Sequence, residues 1–263
     1  MLDSDNKVCE REKLIIRRLN QMIKMVEELP PQNQLSKLAN EDKYIRVCGE
    51  KYRGVSLAEK SPLCGYGGQA RQIGTILDHF KATPQEIVPA TLEKKKERKL
   101  QAWLIKKALS NDRQLVDCLH LQEFFDDLFF CLDEVSLGDR NHDPIIRCDI
   151  LAIGCKDGAY SPVLIELKSV RHLGRLITQL NDFIENIKSN PEIHKTALSL
   201  MKKSAGIPED AKLEEGFQKV IVWPKLDTSR KSTAIKLGKD IIEVGYTFEN
   251  DCWSSFAARK NVS

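Results

Sequence analysis

The segment Val163-Leu164-Ile165-Glu166-Leu167-Lys168 decides the fold. Its β-branched and aliphatic residues make it a strand. Side chains alternate across a strand, so Val163, Ile165 and Leu167 face one side while Leu164, Glu166 and Lys168 face the other. Glu166 and Lys168 are therefore neighbours. Upstream, Ile145 to Ile153 (IIRCDILAI) is a second strand that carries Asp149 among apolar residues. The turn-forming stretch from Gly154 to Gly158 closes it, and the resulting antiparallel hairpin sets Asp149 across from Glu166. An acid inside a strand core is costly unless its charge is compensated. Two adjacent carboxylates repel, and a divalent cation removes the conflict; Mg²⁺ favours hard oxygen ligands of this kind. An ammonium beside them can hold or help deprotonate a water.

Working outward, Phe129 to Leu137 is a strand joined to the other two by short links, which predicts an antiparallel meander. Leu173, Ile177, Leu180, Ile184 and Ile187 recur at helical spacing, so residues 172 to about 188 form an amphipathic helix, with more helix to about Met201. Phe217 to Trp223 and Ile241 to Phe248 are further strands. The first is reached across a helix and is free to lie parallel to the third strand. Before the meander, Thr91 to Leu109 reads as a helix with Leu92, Leu100, Leu104 and Ala108 on one side. Pro84 and Pro89 precede it and place a domain boundary near residue 90. The expectation is an α/β domain over 91–263, with a mixed central sheet flanked by helices. A helical region over 1–90 comes first. Its clearest element is Glu10 to Leu29, with Ile16, Leu19, Ile23, Val26 and Leu29 on one face, ended by Pro30 and Pro31.

With 41% hydrophobic and 30% charged residues in 263, the composition excludes collagen-like and wholly disordered chains. No uncharged apolar window of about 18 residues occurs, so no membrane span is expected. The start, MLDSDNKVCEREK, has no apolar leader, and the protein is expected in the cytoplasm. Eight cysteines without a CxxC pair read as reduced, mostly core thiols. A net charge of +3 says little, but residues 94–107 hold seven basic residues against Glu97 alone, and residues 225–239 hold five against Asp227.

Asp149, then Glu166-Leu167-Lys168, set in this order of elements, resembles the PD-(D/E)xK nuclease superfamily with its restriction-endonuclease-like core. The likeness spans about residues 91–250. It implies Mg²⁺-dependent hydrolysis of nucleic acid, DNA ahead of RNA, with Mn²⁺ able to substitute. Asp149, Glu166 and the Leu167 carbonyl would ligate the metal. Lys168 would orient the nucleophile. Gln179, on the helix after the third strand, would steady Lys168 or the water, and Glu97 would hold a second metal or a water. The pair Pro-Asp common before the first acid is absent, since Asp149 follows Cys148. Phosphate contacts are expected from Lys94, Lys95, Lys96, Arg98, Lys99, Arg171, His172, Arg175, Arg230 and Lys231.

The rival reading is a catalytically inactive nuclease-fold module that binds nucleic acid or serves assembly. Pairing of two protomers through the Glu10 to Leu29 helix is a further expectation. Cys64-Gly65-Tyr66-Gly67-Gly68 lacks the Gly-Lys-Ser/Thr of a phosphate loop and reads as a turn, and Cys48, Cys64 and His79 match no zinc spacing. Trp223 reads as packing at the end of its strand, with base stacking as the alternative.

Overall fold

Strands with apolar residues on both faces need cover on both sides, and the computed structural model provides it. It describes residues 2–27, 32–33, 36, 51–52, 55–56, 96–137, 147–171, 175–225, 237–249 and 252–260. The helices are α1 (Leu2–Glu27), α2 (Lys96–Ser110), α3 (Val116–Leu119), α4 (Leu176–Lys188) and α5 (Pro191–Ala205). A small antiparallel hairpin, β1 (Lys51–Tyr52) with β2 (Val55–Ser56), stands within the region expected to be helical. The main strands are β3 (Asp127–Ser136), β4 (Arg147–Lys156), β5 (Ala159–Leu167), β6 (Gln218–Pro224), β7 (Ile241–Glu249) and β8 (Cys252–Lys260).

The six main strands form one sheet in the order β3-β4-β5-β6-β7-β8. The expected meander is present, with β3, β4 and β5 antiparallel. After the crossover through α4 and α5, β6 lies parallel to β5 and β7 parallel to β6. The sheet is therefore mixed and flanked by helices. β8, antiparallel to β7, was not expected from the sequence, nor was the single turn of α3. The helix expected after residue 188 is separate from α4: Asn190 caps α5 by accepting the Glu192 amide at 2.8 Å, and Pro191 opens it.

Alternation along the strands sorts the core into two layers. Ile150, Ala152, Val163, Ile165, Leu167, Val220, Val222 and Val244 pack against Leu100, Leu104 and Ala108 of α2. On the other face, Leu151, Ile153, Leu164, Ile221 and Trp223 pack against Leu180 and Phe183 of α4 and Leu200 of α5. α1 begins earlier than expected and lies against α5, with Ile15, Leu19 and Met22 buried in this second layer. Arg11 donates to Asn186 at 2.7 Å. Of the apolar face read as a protomer contact, Leu19 is buried within the chain, and Ile16, Ile23 and Val26 are partly buried against the same layer. The boundary near residue 90, Pro30-Pro31 and the glycine-rich stretch at 64–68 lie outside the described residues. Cys131, Cys148 and Cys155 are buried free thiols and Cys118 a half-buried one, as read. Among the described residues no helix is long and apolar enough to cross a membrane.

Gly154 shows how tightly β4 is covered: a Cβ there would overlap the Phe125 ring and press on Val163. Gly154→Ala should lower stability by about 1–3 kcal/mol, measured by urea unfolding. Adding Phe125→Leu should restore part of the loss.

Candidate active site

The strands β4 and β5 pair from Lys156↔Ala159 down to Ile150↔Ile165. One step further the ladder ends, with Asp149 and Glu166 next along the two strands, in phase with Leu151 and Leu164 and so on the α4/α5 face. There the backbone ladder gives way to side chains. The Leu167 amide donates to Asp149 Oδ2 at 2.8 Å, and the Asp149 backbone hydrogen bonds the Glu166 carboxylate. β4 stays paired with β3 as far as Arg147↔Ser136, while β5 stays with β6. The two strands therefore part at this point and leave a fork. The Lys168 amide donates to the Val222 carbonyl at 2.8 Å. In a parallel ladder the residue between such bonds turns its own polar groups the other way, so the Leu167 amide and carbonyl face the fork.

α2 holds both prongs. Glu97 Oε1 accepts the Ser169 amide at 2.9 Å and its hydroxyl at 3.2 Å, fixing the exit of β5. Four residues on, and hence on the same helix face, the buried Gln101 donates Nε2 to the Asp149 carbonyl at 2.9 Å. Tyr246 from β7 donates its hydroxyl to the Lys168 carbonyl at 3.0 Å. Its own pKa is pushed up to about 12, by burial first and then by the charge of Glu97. Gln101 was not singled out in the sequence, although its phase with Glu97, Leu104 and Ala108 marks it as an inward-facing polar residue.

Lys168 Nζ donates to Glu166 Oε1 at 2.6 Å, with the Lys168 side chain 22% exposed and that of Glu166 7%. Burial pushes Glu166 above its ordinary pKa, against the pull of Lys168 and the Asp149 backbone, and Glu97 adds to the rise. For Lys168 burial acts downward, but Glu166, Asp149 and Glu97 together hold its pKa above the usual value. The ammonium thus keeps its proton. Three carboxylates against one ammonium leave this notch at a formal −2 when all are ionised.

Asp149, Glu166 and the Leu167 carbonyl are hard oxygen donors of the kind a divalent cation takes, beside a formal surplus of two negative charges. Among the described residues there is no ready-made group of three or more His, Cys, Asp or Glu at metal-binding spacing. Asp149 and Glu166 each already accept a hydrogen bond from the chain. Gln179, expected beside Lys168, is instead exposed on the first turn of α4 and makes no hydrogen bond to Lys168 among the described residues.

The other expected residues are spread around this end. Lys96, Arg98 and Lys99 belong to the first turn of α2, whose Glu97 reaches the site. Arg175 is exposed at the N-cap of α4. Lys94, Lys95, His172, Arg230 and Lys231 lie outside the described residues. Arg171 is held inside the protein: it pairs with Glu243 at 2.6 Å, donates to the Pro224 carbonyl and lies 4.2 Å from the Trp223 ring centre. Trp223 is fully buried, which settles it as packing, and its indole donates to Glu243 at 2.7 Å.

Glu243 went unremarked in the sequence, although it interrupts an apolar strand just as Asp149 does. Compared with known proteins, the chain matches no family model, no curated protein and no solved structure.

Burial opposes the charge of Glu243, yet hydrogen bonds from Arg259, Arg171 and Trp223 outweigh it and hold its pKa below the ordinary 4.5. A depressed folded-state pKa contributes stability above the unfolded-state value, lost as pH falls through the folded one. Urea unfolding should therefore show Glu243→Gln to be less stable by about 1–3 kcal/mol at pH 7. The gap should shrink as pH drops below about 4.5.

Proposed function

We propose that this chain is a metal-dependent nuclease with a restriction-endonuclease-like core, hydrolysing phosphodiester bonds of nucleic acid, DNA in preference to RNA. The observation that carries the reading is the convergence of Asp149, Glu166, Lys168 and Glu97 on one fork, with a surplus of negative charge. Asp149, Glu166 and the Leu167 carbonyl would hold Mg²⁺ or Mn²⁺. Such a cation, when bound, supplies polarisation of a phosphate oxygen and a more acidic water.

The remaining work falls to the chain itself. Lys168, held cationic by the carboxylates around it, serves as a hydrogen-bond donor and positive charge toward the attacking oxygen and the developing phosphorane, and not as the base. Its tether to Glu166 and the grip of Tyr246 on its carbonyl fix its position. Glu97 positions the turn after β5 through Ser169, and Gln101 positions Asp149 through its carbonyl.

One observation favours the inactive binding or assembly module as a second reading: both acids are engaged by internal donors. Cleavage decides between the two. Wild-type protein should nick or cut DNA with Mg²⁺ or Mn²⁺ and stop on adding a chelator. Lys168→Ala should cut at least about 100-fold more slowly with substrate binding retained, and Asp149→Asn should weaken metal binding in calorimetry. Binding of DNA or RNA without any metal-dependent cleavage would establish the module instead.

Gln101→Leu should lower kcat about tenfold with KM little changed, because it frees the Asp149 backbone and leaves the carboxylates in place. An equal fall in Lys168→Ala/Gln101→Leu as in Lys168→Ala alone would confirm that the two act on one step.

A further inference from the structure

A second feature of the molecule is a cleft of about 380 Å³ between α2, α3 and β8, within the size range of small-ligand sites. Aromatic rings form part of its wall. Trp103 and Phe256 stack with ring centres 5.5 Å apart and planes within 10°. His120 lies 6.4 Å from Phe256 at 26°. Trp253 closes the inner end. The rim is polar and of mixed charge: Lys107 Nζ sits 5.6 Å from the Trp103 ring centre, and Asn111, Asp117 and His120 are exposed beside it. His120 occupies the left-handed C-cap of α3, with φ 54°, which carries its ring to the cleft.

We propose that this cleft binds an unpaired nucleobase together with its phosphate, as part of a single strand. The half-buried Trp103 and the exposed His120 offer ring faces on which a base can stack, and the exposed Lys107 suits the phosphate. The cleft also communicates with the fork. Trp253 meets Tyr246 edge-on at 5.0 Å, and the Tyr246 hydroxyl holds the Lys168 carbonyl. Along α2, Lys107 stands ten residues beyond Glu97, about 15 Å of helix. The inference does not depend on whether the fork cleaves.

Tryptophan emission gives a direct test, because Trp103 and Trp253 line the cleft while Trp223 is buried elsewhere. Short oligo-dT should quench the emission of the full chain, and an abasic strand of equal charge should not. Affinity for oligo-dT should fall about fivefold or more in Trp103→Leu. In the surface variant Lys107→Ala it should fall about threefold or more, with a smaller salt slope. Quenching by AMP with none by oligo-dT would overturn the strand as the source. No quenching by either, or unchanged affinity in Lys107→Ala and in a folded Trp103→Leu, would overturn the site itself. The nuclease reading stands or falls apart from this: cleft binding without cleavage sinks only that reading, and cleavage with undiminished affinity in both cleft variants sinks only this inference.

Discussion

The hydrogen bond from the Leu167 amide to the Asp149 carboxylate is the point on which the rest turns. Leu167 is buried, and a buried amide left without an acceptor costs about 1–3 kcal/mol. In an unbroken hairpin a β4 carbonyl would accept it. Here a side chain does so, and the strands can separate without orphaning the amide. The separation then forces each loose end to find another support. The Asp149 carbonyl finds Gln101, the Ser169 amide finds Glu97, and the Lys168 carbonyl finds Tyr246. Two of those three supports come from one helix, so α2 is the brace that keeps the fork open.

The same sheet face shows two ways of burying an acid. Register partners run Glu166↔Ile221, Ile221↔Glu243 and Glu243↔Arg259, placing two glutamates in one row across the sheet. Glu243 meets two guanidinium groups and an indole N–H, so its charge is more than matched and its pKa is held down. Glu166 meets one ammonium, which also faces Asp149 and Glu97, and burial holds its pKa up. Breaking up the Glu243 cluster would leave charges unpaired in the interior, which suits a structural anchor. The Glu166 cluster carries a formal surplus of negative charge at a place where the strands part, the feature on which the proposed metal site rests.

The core and the site were legible to different depths. β3 to β7, the antiparallel meander and the parallel crossover follow from period-two alternation, short links and one long amphipathic helix, all of them local signals. β8 was missed because Cys252–Lys260 mixes small, polar and basic residues, and its pairing with β7 is what makes it a strand. Asp149, Glu166 and Lys168 could be named because an acid in an apolar strand is conspicuous. The same signal at Glu243 was passed over. Gln179 was placed by likeness alone, and the rotation of α4 turns it to solvent, since Leu176, Leu180 and Phe183 claim the face that packs on the sheet.

By itself, then, the sequence determined which residues alternate across each strand, that Glu166 and Lys168 share a face, and that an acid stands on the neighbouring strand. Those properties are set within a dozen residues by chain geometry. Only the tertiary structure decided that the ladder stops at Ile150↔Ile165, that Gln101 and Glu97 brace the two prongs, and that Arg171 is consumed by Glu243. Each of those contacts joins residues 48 or more positions apart, apart from the hairpin's own end, and the burial that makes them matter arises when helices close over both faces of the sheet.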